Sequence, residues 1–193
     1  MKCGKELEHE EQEYCSDCIH IQKHYTRGYP LYRYEAPVKE GVLAFKYKNR
    51  REYAQFYAEE LEKQYGSEFL RLNLDGVLPV PIHPHKLRTR GYNQAGVLAK
   101  ELGRRLDIPC YEKLLVRTVD TRPQKELNDK ERLQNLKKAF FFRENDVKLN
   151  KVLLVDDIYT TGATIEACTQ ALHSGGVQEV YYTSICIGRG SAM

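Results

Sequence analysis

The run Val152-Leu153-Leu154-Val155-Asp156-Asp157, continuing into Ile158-Tyr159-Thr160-Thr161-Gly162-Ala163-Thr164, constrains the fold more than any other feature. Its four consecutive apolar residues do not alternate with polar ones. They read as a strand buried on both faces, as in a parallel sheet covered by helices on each side. A small, hydroxyl-rich turn ends the strand and opens an amphipathic helix reaching about Ser174. The first turn of a helix has unpaired N–H groups and a positive partial charge, so it binds phosphate. Gly162 lets the backbone approach closely, and the hydroxyls of Thr160, Thr161 and Thr164 add donors. Asp156 and Asp157, just before the turn, can accept hydrogen bonds from ribose hydroxyls or hold a hydrated Mg²⁺. An acidic pair at a strand end is often only a turn, and Thr is common at helix starts. It is the ordered combination that points to a phosphorylated sugar. Two nucleotide motifs fit poorly. Gly91 and Gly96 have Walker spacing, but Val97 and Leu98 follow in place of Lys and Ser/Thr, and no Gly-x-Gly-x-x-Gly follows a strand.

The remaining elements alternate in the manner of an α/β domain. A short aromatic strand is expected over residues 29–35. Pro37 then opens a helix to about Tyr47, with Val38, Val42, Leu43 and Phe45 on its apolar side. A second helix over residues 51–65 buries Ala54, Tyr57, Ala58 and Leu61, with Gly66 as its C-cap. Residues 76–82 read as a buried strand, and His83, Pro84, His85 and Lys86 as the loop after it. Ligands of open α/β sheets collect beyond the carboxyl ends of the strands, so this loop faces the same crevice as the Asp pair. A helix over residues 93–106 carries Ala95, Leu98, Ala99, Leu102 and Leu106. Residues 114–117 form a strand, residues 118–138 a polar insertion, residues 140–142 resume the sheet, and residues 179–187 form a buried final strand.

With 193 residues, 41% hydrophobic and 30% charged, the chain suits one α/β domain plus a small appendage. We divide it at residues 1–28 and 29–193. No apolar run approaches the roughly 20 residues that span a bilayer, and the Glu-rich start lacks a signal-peptide core. A cytoplasmic location without stable membrane insertion is therefore expected, with reduced thiols. Cys15-x-x-Cys18 is half of a zinc knuckle, and Cys3-Gly4 has the form of the end of another. Its first cysteine would fall one position before Met1. His9, His20 or His24 supplies the fourth zinc ligand, or the site is vestigial, or the start codon is misassigned. Cys110, Cys168 and Cys186 read as packing residues. The net charge of +3 conceals an acidic start (Glu6, Glu8, Glu10, Glu11, Glu13, Asp17) and basic clusters at Lys46, Lys48, Arg50 and Arg51 and at Lys86, Arg88 and Arg90. These are solvated faces, a pyrophosphate-binding rim, or a track for single-stranded nucleic acid. Tyr47, Tyr53 and Tyr92 lie near them, placed to stack on bases or to pack at the core edge.

VLLVDDIYTTGAT resembles the phosphoribosyl pyrophosphate signature of type I phosphoribosyltransferases. The wider chain resembles the ComF family of bacterial competence proteins. This likeness rests on Val80-Pro81-Ile82-His83 with Arg90-Gly91-Tyr92-Asn93-Gln94, on Arg117, Thr121, Gln124, Leu127, Arg132, Asn135 and Phe140, and on the cysteine cluster. The resemblance implies a doubly wound parallel sheet with a flexible cover and a small zinc-ribbon-like remnant. It implies that Asp156 and Asp157 hold the ribose hydroxyls while Thr160, Thr161, Gly162, Ala163 and Thr164 cradle the 5′-phosphate. Pro81, Ile82 and His83, with Arg88 or Arg90, would meet the pyrophosphate, and Thr121, Gln124, Arg132 and Asn135 would close over it. Mg²⁺ would accompany the ligand, and Zn²⁺ would sit at Cys3, Cys15 and Cys18. Three roles follow. One is a protein that handles single-stranded DNA during natural competence, beside a competence helicase. Another is a phosphoribosyltransferase of unknown acceptor. The third is a nucleotide-sensing regulator that binds nucleic acid.

Overall fold

The computed structural model of the protein describes residues 2–7, 12–117, 139–143 and 146–188. In chain order the elements are α1 (Ser16–His20), β1 (Arg27–Arg33), α2 (Val38–Tyr47), α3 (Tyr53–Leu72), β2 (Gly76–Pro79), α4 (Pro84–Arg90), α5 (Gln94–Leu106), β3 (Leu115–Arg117), β4 (Phe140–Phe142), β5 (Lys151–Tyr159), α6 (Ala163–Ser174) and β6 (Glu179–Ile187).

Strands β1, β6, β5 and β2, in that order, form a parallel sheet. The unbroken apolar run of β5 is explained by its central place. Leu153 and Val155 enter one core with Phe45 of α2, Leu61 of α3 and Leu98 of α5. Val152 and Leu154 enter a second core with Ile165, Cys168 and Leu172 of α6 and with Cys3 and Tyr25. Side chains of a strand alternate between faces, so this run covers both, and the sheet is wound by helices on each side. β6 is buried along nearly all its length because it lies between β1 and β5. Cys168 and Cys186 are fully buried and Cys110 packs against the first core, as packing residues should. Among the described residues no helix is long and apolar enough to cross a membrane.

Several elements depart from the sequence reading. α3 runs through Gly66 to Leu72 because Phe69, beyond the glycine, is fully buried in the first core. Gly66 is an interior helix position, and Asn73, in the left-handed conformation at φ 51°, ends the helix instead. Residues 84–90 are a helix, not a loop. Pro84 occupies its first turn, His83 caps it by accepting a bond from the His85 N–H at 3.2 Å, and Gly91 at φ 78° terminates it. β4 does not rejoin the main sheet. It pairs antiparallel with β3 as a separate ribbon, burying Phe140 and leaving Phe141 in solvent.

Candidate functional site

β5 delivers the turn and α6 receives it. Gly162 sits at φ 77°, and a Cβ there would lie 2.2 Å from the Tyr159 hydroxyl. Only glycine fits, on both counts. Tyr159 is fixed in turn. Its ring stacks on Tyr182 at 4.8 Å, and its hydroxyl meets that of Tyr25 at 2.8 Å. Thr160 and Thr161 are exposed on the turn, and Thr164 is partly buried in the first turn of α6. The Ala163 N–H points back to Thr161 Oγ1 at 3.5 Å. From the other side Lys23, buried, donates to the Thr161 carbonyl at 2.9 Å.

The acidic doublet is divided between environments. Asp157 pairs with Lys46 of α2, Nζ to Oδ1 at 2.9 Å. Asp156 accepts the Asp157 N–H at 2.8 Å and feels the charge of Arg117 of β3. Burial, and then the neighbouring Asp157 charge, push the Asp156 carboxyl up to about 8. Near neutrality Asp156 therefore favours its protonated form.

The segment after β2 lies beside the doublet. The Val80 N–H donates to the Val155 carbonyl at 2.8 Å, and Asn93 Nδ2 holds the Val80 carbonyl at 3.1 Å. Pro81, Ile82 and His83 follow, each partly exposed, and Arg88 is exposed on α4. Arg90 reaches Gln94 at 3.2 Å and the Tyr47 hydroxyl at 3.3 Å, with its guanidinium 5.0 Å from the Tyr47 ring centre. Gln94 also bonds the Lys46 carbonyl at 3.4 Å. The end of α2 is thus tied to the residues assigned from the sequence to pyrophosphate.

The basic cluster at the end of α2 divides. Lys46 turns into the doublet, whereas Lys48, Arg50 and Arg51 are exposed. Arg50 pairs with Glu52 at 3.4 Å, and Arg51 lies 4.7 Å from the Tyr92 ring centre. Tyr92 is buried and donates its hydroxyl to the Phe45 carbonyl, and Tyr53 packs against the first core. Tyr47 alone of the three tyrosines is largely exposed, at 65%, with Arg90 against its ring. Thr121, Gln124, Arg132 and Asn135 lie outside the described residues.

Cys3, Cys15 and Cys18 place their sulfurs within 4.8 Å of one another. Sulfurs of a tetrahedral zinc site, with bonds of roughly 2.3 Å, lie about 3.8 Å apart, so the set fits three zinc ligands. Burial, the largest influence on each, raises the Cys3 and Cys18 thiols. Among the described residues no histidine joins them. His24 Nδ1 is committed to Glu166 of α6, and His20 is exposed on α1; His9 lies outside the described residues.

The phosphoribosyl transferase domain pattern matches residues 88–191, just over half the chain. Competence protein F of Haemophilus influenzae is 32% identical over 184 residues, which cover 92% of this chain and 80% of that one. The chain belongs to the ComF family of phosphoribosyltransferase-domain proteins. This ComF-family chain is also similar to competence protein ComFC of Streptococcus pneumoniae, 29% identical over 155 residues, 78% of this chain and 63% of that one. DNA utilization protein YhgH of Escherichia coli is 28% identical over 175 residues, 89% of this chain and 77% of that one. The parallel sheet wound on both sides is the fold the family implies, and the cysteine cluster fits a zinc-ribbon-like remnant. The sequence reading missed Lys23, Tyr25 and Glu166. Lys23 and Tyr25 lie in a segment without periodicity, and each of the three has a partner more than a hundred residues away.

Proposed function

We propose that this ComF-family protein binds phosphoribosyl pyrophosphate at residues 156–164 and acts in handling single-stranded DNA during natural competence. One observation carries the first half. The glycine turn at the start of α6, the doublet and the segment after β2 meet at one carboxyl edge of the sheet. Asp157 accepts a ribose hydroxyl, and protonated Asp156 donates to one. The turn, with the N–H groups opening α6, takes the 5′-phosphate. Residues 81–83, with Arg88 or Arg90, face the pyrophosphate. Bound Mg²⁺ would supply charge neutralisation of that leaving group. Thr121, Gln124, Arg132 and Asn135 would close the site.

The DNA-handling half is supported by the names of its relatives and by the exposed cluster of Lys48, Arg50 and Arg51 beside the exposed Tyr47. Strand phosphates would follow the cations and a base would stack on the tyrosine. Zn²⁺ at Cys3, Cys15 and Cys18 would hold the start of the chain, and the protein would work in the cytoplasm. The intact turn and doublet also favour a second reading, turnover to an acceptor. The C1–oxygen bond to pyrophosphate would then break as the acceptor attacks C1, and pyrophosphate would leave with the bonding pair. Calorimetry with Mg²⁺–phosphoribosyl pyrophosphate tests the pocket. Binding to the native chain and its loss in Asp157→Ala are expected, and equal affinity in both would end the proposal. A pyrophosphate-release screen over acceptors, with and without DNA, separates binding from turnover.

A further inference from the structure

Lys23 lies at the turn between β5 and α6 but comes from the cysteine-bearing segment, far outside the matched residues 88–191. It is only 5% exposed. Its ammonium donates to the Thr161 carbonyl at 2.9 Å, and among the described residues no carboxylate pairs with it. A buried ammonium ordinarily has an anion beside it, because one carbonyl does not replace the lost hydration. Here it lies next to the start of a twelve-residue helix, itself positive at that end. The ammonium and the helix start together make this turn electropositive.

The geometry has a second consequence. The carbonyl and N–H of one peptide plane point in opposite directions. Lys23 draws the Thr161 carbonyl towards itself, which turns the Gly162 N–H to the opposite side of that peptide plane. The lysine is held in place by its neighbours. The His24 N–H bonds Glu166 Oε2 at 2.9 Å, Tyr25 meets Tyr159 at 2.8 Å, and Lys2 Nζ bonds the Lys23 carbonyl at 2.6 Å.

We propose that Lys23 is a positioning residue of the sugar-phosphate site, a fixed cation behind the turn that aims the Gly162 N–H at a 5′-phosphate dianion. The inference rests on the proposed function and adds to it a residue and a ligand part. The cysteine-bearing segment thereby contributes to phosphate recognition.

Titration of the full chain with ribose 5-phosphate, Mg²⁺–phosphoribosyl pyrophosphate and Mg²⁺–pyrophosphate tests it. Lys23→Met and Lys23→Gln should each weaken the two sugar phosphates about tenfold. Pyrophosphate, which meets the residues after β2, should bind within about twofold of the native value, with the melting midpoint little changed. Native affinity for ribose 5-phosphate in both variants would overturn the inference and leave the site reading standing. Equal weakening of all three ligands would overturn it as well, since that marks a collapsed turn. If the native chain binds none of the three, the site reading falls and the inference with it. Should both variants fail to fold, the ³¹P resonance of ribose 5-phosphate on the native chain decides. Its second ionisation should occur at lower pH than in free solution, and an unshifted ionisation would overturn the proposal.

Discussion

Lys46 Nζ lies 2.9 Å from Asp157 Oδ1, and both side chains are only 14% exposed. A residue from α2, ahead of the matched domain, thus pairs with the acidic doublet. Lys46→Met leaves Asp157 without its partner in a poorly hydrated place. We expect a loss of about 2 kcal/mol, between the values for surface and for buried pairs. Adding Asp157→Asn should recover most of it. Urea unfolding of the two single variants and the double variant measures the coupling, and additive losses would show that the pair does not interact.

Gly162→Ala meets two obstacles, a left-handed backbone and a Cβ position 2.2 Å from the Tyr159 hydroxyl. The change should cost at least about 2 kcal/mol and displace Tyr159 from its contact with Tyr25. A melting midpoint within a degree of the native value would contradict this account of the turn.

Asp156 gives a pH dependence with a definite sign. Its carboxyl, raised by burial to about 8, holds a proton more tightly when folded than in the unfolded chain, where the value is about 3.8. Between those values the folded state binds more protons, so this group's contribution to stability falls as pH rises from about 4 to about 8 and levels off above. Asp156→Asn should flatten that slope. Thermal melts of both proteins from pH 5 to pH 9 provide the comparison, and parallel curves would refute the raised value.

The cysteine cluster predicts bound zinc. Purified protein should contain close to one equivalent by elemental analysis, and Cys18→Ser should lower it. Metal removal should also lower the melting midpoint, because Tyr182 bonds the Cys3 carbonyl at 2.6 Å and links the cluster to the second core. Metal-free protein with native thermal stability would count against a structural role.

Tyr47 and Arg50 test the proposed nucleic-acid face. Tyr47→Ala should weaken single-stranded DNA binding by about 1–3 kcal/mol through lost stacking. Arg50→Ala should reduce the salt dependence of binding. Fluorescence anisotropy at several salt concentrations reads both, and salt-independent binding would exclude a phosphate track.

What could be read from the sequence was local. The strand, turn and helix around residues 152–174 follow from adjacent residues, and so does the helix from Gln94 to Leu106. Lys46 stood out as basic, but nothing near it in sequence shows that its ammonium turns to Asp157 and away from a solvated face. Lys23 gave no signal, since its role depends on a carbonyl 138 residues away. Gly66 misled because glycine usually stops a helix, whereas here the burial of Phe69 carries α3 onward. The ribbon of β3 and β4 depends on a pairing that three-residue strands do not announce.

The neighbour of β1 in the sheet is β6, with Arg27 opposite Tyr181 and Arg33 opposite Ile187. During translation the first strand therefore waits at the ribosome until the last has emerged, with its apolar face open to chaperones or to aggregation. Such distant pairing makes slow refolding the expectation, and a nascent chain stalled short of β6 should be held open and readily cut by protease.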